Sequence, residues 1–186
     1  MSCGAVILAG GQSSRMGQDK AFVKLNGQSL LQRQIETVRA AGFSEIMISG
    51  RSGVDYSVFG LPVVLDQTLN AGPLAGIHAV LSLTKNRQLL VLAVDLPQMT
   101  PAFLRLLKAA AEAGAGVIPR LAGQVEPLAA IYPAVAREQA GKLLAECKYA
   151  VRSFASACVI AGLATYMDCP ASSGALFKNL NGPADV

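Results

Sequence analysis

The sequence has no tryptophan and one histidine, and aromatic residues make up 5% of it. A single-stranded nucleic-acid binder stacks bases on exposed rings, so this shortage argues against one. The four cysteines, Cys3, Cys147, Cys158 and Cys169, form no CxxC pair. With one histidine beside them, a zinc site is not expected. They read instead as small core residues of a reducing compartment. The lone histidine and the lack of a G-x-S-x-G stretch argue against a Ser-His-Asp hydrolase. Charge is also scarce, at 15% of residues, and there is no run of Lys or Arg. No apolar stretch approaches the roughly 18–20 residues that span a bilayer. The opening Met-Ser-Cys-Gly-Ala-Val-Ile-Leu lacks a basic stretch and passes straight into strand-like residues. No signal peptide is therefore expected, and a cytoplasmic location is.

What the sequence does have is aliphatic bulk. Hydrophobic residues are 52% of its 186 residues, with a mean hydropathy of +0.42. That suffices for one core built from Ala, Val, Ile and Leu, and the length suits a single domain over residues 1–186. The net charge of +4 is scattered. It serves solubility, or it draws an anionic substrate into a cleft.

Apolar runs alternate with helical patterns. Strands are expected at Gly4–Ala9, Glu45–Ser49, Leu61–Leu65, Gln88–Val94 and Ala115–Pro119. Val125–Tyr132 is expected as an edge or irregular strand because of Pro127, and Leu163–Met167 as a weak one. Helices are expected over Ser29–Ala41 before Gly42, Leu74–Leu83 after Pro73, Thr100–Ala113 before Gly114, and Ala134–Cys147. This alternation implies an α/β fold of three layers, a mostly parallel sheet with helices on both faces. Ligands of such sheets bind beyond the carboxyl ends of the strands. Chemistry is to be sought after Ala9, Ser49, Leu65 and Val94.

The first of these places holds Gly10-Gly11-Gln12-Ser13-Ser14-Arg15-Met16-Gly17-Gln18-Asp19-Lys20. It matches neither G-x-x-x-x-G-K-[ST] nor G-x-G-x-x-G. Its glycines would still let backbone amides approach phosphate oxygens, and Arg15 and Lys20 add positive charge. An ordinary βα turn needs neither cation. Asp95 closes the central strand, where a carboxylate can hold a divalent cation that bridges phosphates, or simply cap a turn. Asp66 shares that edge. Gly72-Pro73-Leu74-Ala75-Gly76 then turns into a helix whose start faces it. His78, inside that helix, reads as a packed or surface residue and not a catalytic base.

Leu8-Ala9-Gly10-Gly11-x-Ser13-x-Arg15-Met16-Gly17-x-Asp19-Lys20 resembles the signature loop of the molybdenum cofactor guanylyltransferases, the MobA-type proteins. Asp66 with Gly72-Pro73-Leu74-Ala75-Gly76, Val94-Asp95-Leu96-Pro97, and Asn179-Leu180-Asn181-Gly182-Pro183 fit the same pattern in order. The resemblance spans essentially the whole chain. It implies a Rossmann-like nucleotidyltransferase fold and transfer of GMP from GTP to the terminal phosphate of the molybdenum-bearing molybdopterin. Pyrophosphate is released and Mg²⁺ is required. It implies that Leu8, Ala9, Gly10 and Gly11 contact the guanine nucleotide, Lys20 its phosphates, Asp66 the nucleotide, and Asp95 both nucleotide and metal. Arg15, Lys20 and Asp95 form the expected catalytic set. Pro127, Leu128, Asn179 and Asn181 are expected to face the acceptor.

Where relatives often carry Asn after the second strand, this chain reads Ile48-Ser49-Gly50-Arg51, and Ser49 is the expected substitute. Relatives usually continue into a helix after the last segment, whereas this sequence stops at Val186. The nucleotide part is expected at about residues 1–100 and the acceptor part at about 101–186. Expected partners are the two substrates, with transient contacts to proteins that supply or receive the cofactor, and neither nucleic acid nor membrane. A CTP-using relative, an enzyme with another acceptor, and a GTP-binding module without chemistry are the rival readings.

Overall fold

A computed structural model of the protein describes residues 2–10, 19–65, 71–111 and 114–180. Strand β1 (Cys3–Leu8) is followed by a small hairpin, β2 (Lys24–Leu25) and β3 (Gln28–Ser29), and by helix α1 (Leu30–Ala40). Next come β4 (Ile46–Gly50), β5 (Val63–Leu65), α2 (Pro73–Leu83), β6 (Gln88–Ala93) and α3 (Pro101–Ala110). The second half holds β7 (Gly116–Leu121), β8 (Gln124–Val125), β9 (Ala129–Pro133), α4 (Arg137–Ala145), α5 (Val151–Ile160) and β10 (Ala164–Cys169). A 3-10 stretch, Ala171–Phe177, carries the chain back toward the first half.

Beyond that hairpin, the strands form one sheet in the order β10-β7-β9-β6-β1-β4-β5, with β8 on β7. β1 is parallel to both of its neighbours, β4 and β6. β9 runs antiparallel between β6 and β7. The strands need cover on both faces because their alternate residues are apolar in both directions. Ala5, Ile7, Leu90 and Leu92 pack with Leu31, Ile35 and Val38 of α1 and Leu104 and Leu107 of α3. Val6, Leu89 and Val91 pack with Leu74, Ile77 and Val80 of α2 and with Phe154 and Cys158 of α5. This is the expected three-layer architecture. The helix expected from Ser29 begins at Leu30, and Ser29 is its cap, accepting a hydrogen bond from Gln32 N at 3.3 Å. Thr100 accepts from Phe103 N at 3.3 Å to cap α3, with Pro101 in its first turn.

Three expectations are corrected, and two elements are added. The run Val125–Tyr132 is not one strand: it is divided into β8 and β9 around Pro127, whose carbonyl accepts from Tyr132 OH at 2.9 Å. The helix expected from Ala134 opens with a 3-10 turn and becomes α-helical at Arg137. Helix α5 and the hairpin β2–β3 were not anticipated. Finally, Cys147 is exposed, not part of the core. Burial does hold for Cys158, and it pushes that thiol up to about 12 and Cys3 up to about 11. Within the sheet, the chain goes from β1 to β4 and β5 on one side, then returns to β6 on the other. The order therefore reverses at β1, and the crevice such folds use lies at its carboxyl end.

Candidate active site

The strand ends at this crevice are tied to one another by main-chain bonds. Ala9 N donates to Ser49 O at 2.8 Å, and Val94 N donates to Leu8 O at 3.2 Å. Ala93 N donates to Leu128 O at 2.8 Å, which sets Pro127 and Leu128 beside the end of β6. Gly10 continues β1 past this seam. Its hydrogen faces the backbone of the next strand: a Cβ there would lie 3.3 Å from the Gly50 carbonyl carbon and 3.6 Å from Arg51 N.

Lys20 begins a 3-10 turn, Lys20–Phe22, and Asp19 caps it by accepting from Ala21 N at 2.9 Å. The Lys20 Nζ donates to Asp95 Oδ2 at 3.0 Å and to Leu180 O at 3.1 Å. Leu180 N in turn donates to Asp95 O at 2.9 Å. Three segments far apart in sequence thus meet around the Lys20 ammonium, which binds the Asp95 carboxylate and the Leu180 carbonyl. Both side chains are 21% exposed, open enough for a ligand and sheltered enough for their charges to act at short range. Asn179, next to Leu180, is exposed.

Lys20, Asp95, Gly10, Leu8, Ala9, Pro127, Leu128 and Asn179 are accordingly gathered around one sheet edge. Ser49 does not join them. Ile46 and Ile48 face α1, so the pleat turns Ser49 the other way, onto α2, where its hydroxyl fills the space left by Gly76. It is 4% exposed. Gly11, Arg15, Asp66 and Asn181 lie outside the described residues. His78 packs between helices, its ring against Gly141 of α4.

Sequence reasoning missed a cluster beside Lys20. Asp19 Oδ2 accepts from Arg51 Nε at 2.9 Å and from Tyr56 OH at 3.4 Å. Burial first, and the Asp19 charge second, hold the Tyr56 phenol above its usual range, so it stays a donor. An Asp just before a helical turn is a capping signal and could have been found. Nothing in the sequence marks Tyr56.

The site thus sets a carboxylate and a lysine side by side at the switch point of a mostly parallel sheet. Residues 5–160 match the family described as the MobA-like NTP transferase domain. The chain is 37% identical to a probable molybdenum cofactor guanylyltransferase of Opitutus terrae, over 96% of this chain and 90% of that one. It is 36% identical to the molybdenum cofactor guanylyltransferase of Rhizobium meliloti, over 98% and 88% of the two chains.

Among solved structures, it resembles molybdopterin-guanine dinucleotide biosynthesis protein A of Archaeoglobus fulgidus, with TM-score 0.77 at 24% identity over 97% and 93% of the chains. It also resembles the 2-C-methyl-D-erythritol 4-phosphate cytidylyltransferase of Thermus thermophilus, with TM-score 0.73 at 18% identity over 100% and 95%. These two likenesses show the nucleotidyltransferase fold. The chain belongs to the MobA-like NTP transferase family.

Proposed function

We propose that this chain transfers GMP from GTP to the terminal phosphate of the molybdenum-bearing molybdopterin. The observation that carries this reading is the Lys20–Asp95 pair, 3.0 Å apart at the switch point, in a chain whose full-length relatives bear the guanylyltransferase name. In the reaction an acceptor phosphate oxygen bonds to the α-phosphorus of GTP as the bond to the bridging oxygen of pyrophosphate breaks. The acceptor oxygen is already anionic near neutral pH, so no general base is needed. The work is alignment and charge compensation, tasks for fixed cations and not for a histidine. Lys20 holds the polyphosphate and meets the charge that grows on the leaving group. The strand-end backbone at Leu8–Gly10 seats the nucleoside. Pro127, Leu128 and Asn179 flank the acceptor. Arg15, Gly11, Asp66 and Asn181 complete this reading from outside the described residues, and a cytoplasmic location goes with it.

The donor set also suits Mg²⁺. Among the described residues no group of three or more His, Cys, Asp or Glu could form a dedicated metal cage. Mg²⁺ on a nucleotide takes one or two carboxylates and fills its shell with phosphates and water. Asp95 would hold it. When bound, the ion neutralises phosphate charge. Asp95→Ala is therefore expected to lower turnover by about 10²–10³-fold or more while the fold survives. The measurement is pyrophosphate release with GTP, CTP and ATP at fixed acceptor. Wild-type turnover and Mg²⁺ dependence in Asp95→Ala would overturn the site. CTP use equal to GTP would replace the guanylyl assignment by a cytidylyl one, and no pyrophosphate with any nucleotide would leave a binding module.

A further inference from the structure

Asp19 is a carboxylate withdrawn from water, with a side chain 7% exposed. Such a group is stable when its charge is matched and its lone pairs are used. Each partner it has found belongs to a different part of the site. Ala21 lies in the turn that Lys20 opens. Arg51 directly follows the last residue of β4. The Tyr56 ring lies against Gly50, where a larger side chain would collide with it, and stacks on Phe22 with centroids 6.0 Å apart. Asp19 thus links the turn that carries Lys20 to the end of β4, across the carboxyl end of β1.

We propose that Asp19 is a positioning residue for Lys20. Held by Arg51 and Tyr56, its carboxylate fixes the start of the turn, so that the long lysine side chain delivers its charge from a set origin. A lysine is a point charge on four flexible carbons, and its accuracy depends on where its Cα is anchored. The proposal rests on the reading of Lys20 as a phosphate ligand and adds what supports it. Asp19→Asn is the informative change. Its remaining oxygen can still cap the turn, but the carboxylate that pairs with Arg51 is gone.

The test is a double-mutant cycle of Asp19→Asn and Lys20→Ala. GTP affinity in the presence of Mg²⁺, kcat and KM with GTP, and urea unfolding are measured for all four proteins. With Lys20 present, Asp19→Asn is expected to lower kcat/KM by about ten-fold or more, chiefly through kcat. In the Lys20→Ala background the same change is expected to alter activity and GTP affinity within about two-fold. Its effect on unfolding should be the same in both backgrounds. Arg51→Lys should retain more activity than Arg51→Ala. If Asp19→Asn destabilises the protein too far, Tyr56→Phe removes one bond from the same carboxylate and should show the same dependence on Lys20.

A full loss from Asp19→Asn that persists without Lys20 would overturn the positioning role. No loss with Lys20 present would overturn it equally. A Lys20→Ala protein with unchanged GTP affinity and turnover would instead bring down the phosphate-ligand reading itself.

Discussion

A Cβ placed on Gly10 would sit 3.3 Å from the Gly50 carbonyl carbon and 3.4 Å from its oxygen, tighter than side chains normally pack. Glycine is therefore needed there for the approach of two strand ends, and any approach of a ligand is additional to that. Gly10→Ala is expected to push the Gly50–Arg51 backbone away by a few tenths of an ångström. On the proposed reading, in which the Leu8–Gly10 strand end seats the nucleoside, that should lower kcat/KM for GTP on the order of ten-fold. The smaller cytosine base should suffer less, so the preference for GTP over CTP narrows. Steady-state kinetics with both nucleotides check this, and an unchanged ratio would detach Gly10 from base choice. That Gly10, Lys20 and Asp95 come together was legible because the carboxyl ends of parallel strands share one edge of the sheet. Ser49 was misplaced because its residue type was read without its parity: with Ile46 and Ile48 on the core face toward α1, position 49 points to α2. The Asp19–Arg51–Tyr56 cluster was not legible, since it exists only where three separate segments meet.

Among the elements, two hairpin turns use the same backbone with different residues. Asn26 and Gly27 have φ of 53° and 82° between β2 and β3, and Ala122 and Gly123 have φ of 46° and 80° between β7 and β8. Two-residue loops with two positive φ angles favour Asn-Gly, and an alanine there is strained. Ala122→Asn is expected to stabilise the protein by about 0.5–1 kcal/mol, read as a higher urea midpoint at unchanged slope. A lower midpoint would mean that this turn is held by something other than its own backbone preference. Asn26-Gly27 was a plain hairpin signal, passed over because the flanking strands are two residues long. The long central strands and α1 to α3 were legible because their apolar periods, caps and prolines agree. Helix α5 was hidden because its first turn has no side-chain cap and its buried residues, Phe154, Ala155 and Cys158, make a narrow stripe among serines and alanines. The pairing of β9 between β6 and β7 was hidden for another reason. A strand run says nothing about its direction, and Pro127 marked a break without saying what lay beyond it.

For the molecule as a whole, the stretch after β10 joins the halves. Phe177 is 8% exposed and meets Phe103 of α3 edge-on, with ring centroids 5.4 Å apart. Leu180, 2% exposed, enters the same core and presents both its main-chain groups to the Lys20–Asp95 pair. Phe177→Ala is expected to cost about 3 kcal/mol in stability, and to weaken GTP binding at temperatures where the protein is still folded. Unfolding and nucleotide titrations on the same sample check both, and unchanged GTP affinity would mean that this stretch stabilises the fold without shaping the site. Ile160→Ala, at an 87% exposed position, is the control and should change neither. The way Leu180 closes the site also sets a clock on biosynthesis. Lys20 and Asp95 leave the ribosome early, yet the carbonyl that steadies the lysine is made 85 residues after the aspartate. Until translation has passed residue 180, the growing polypeptide carries both charges without that third partner. The contact among Lys20, Asp95 and Leu180 is therefore completed only once that later stretch has been made.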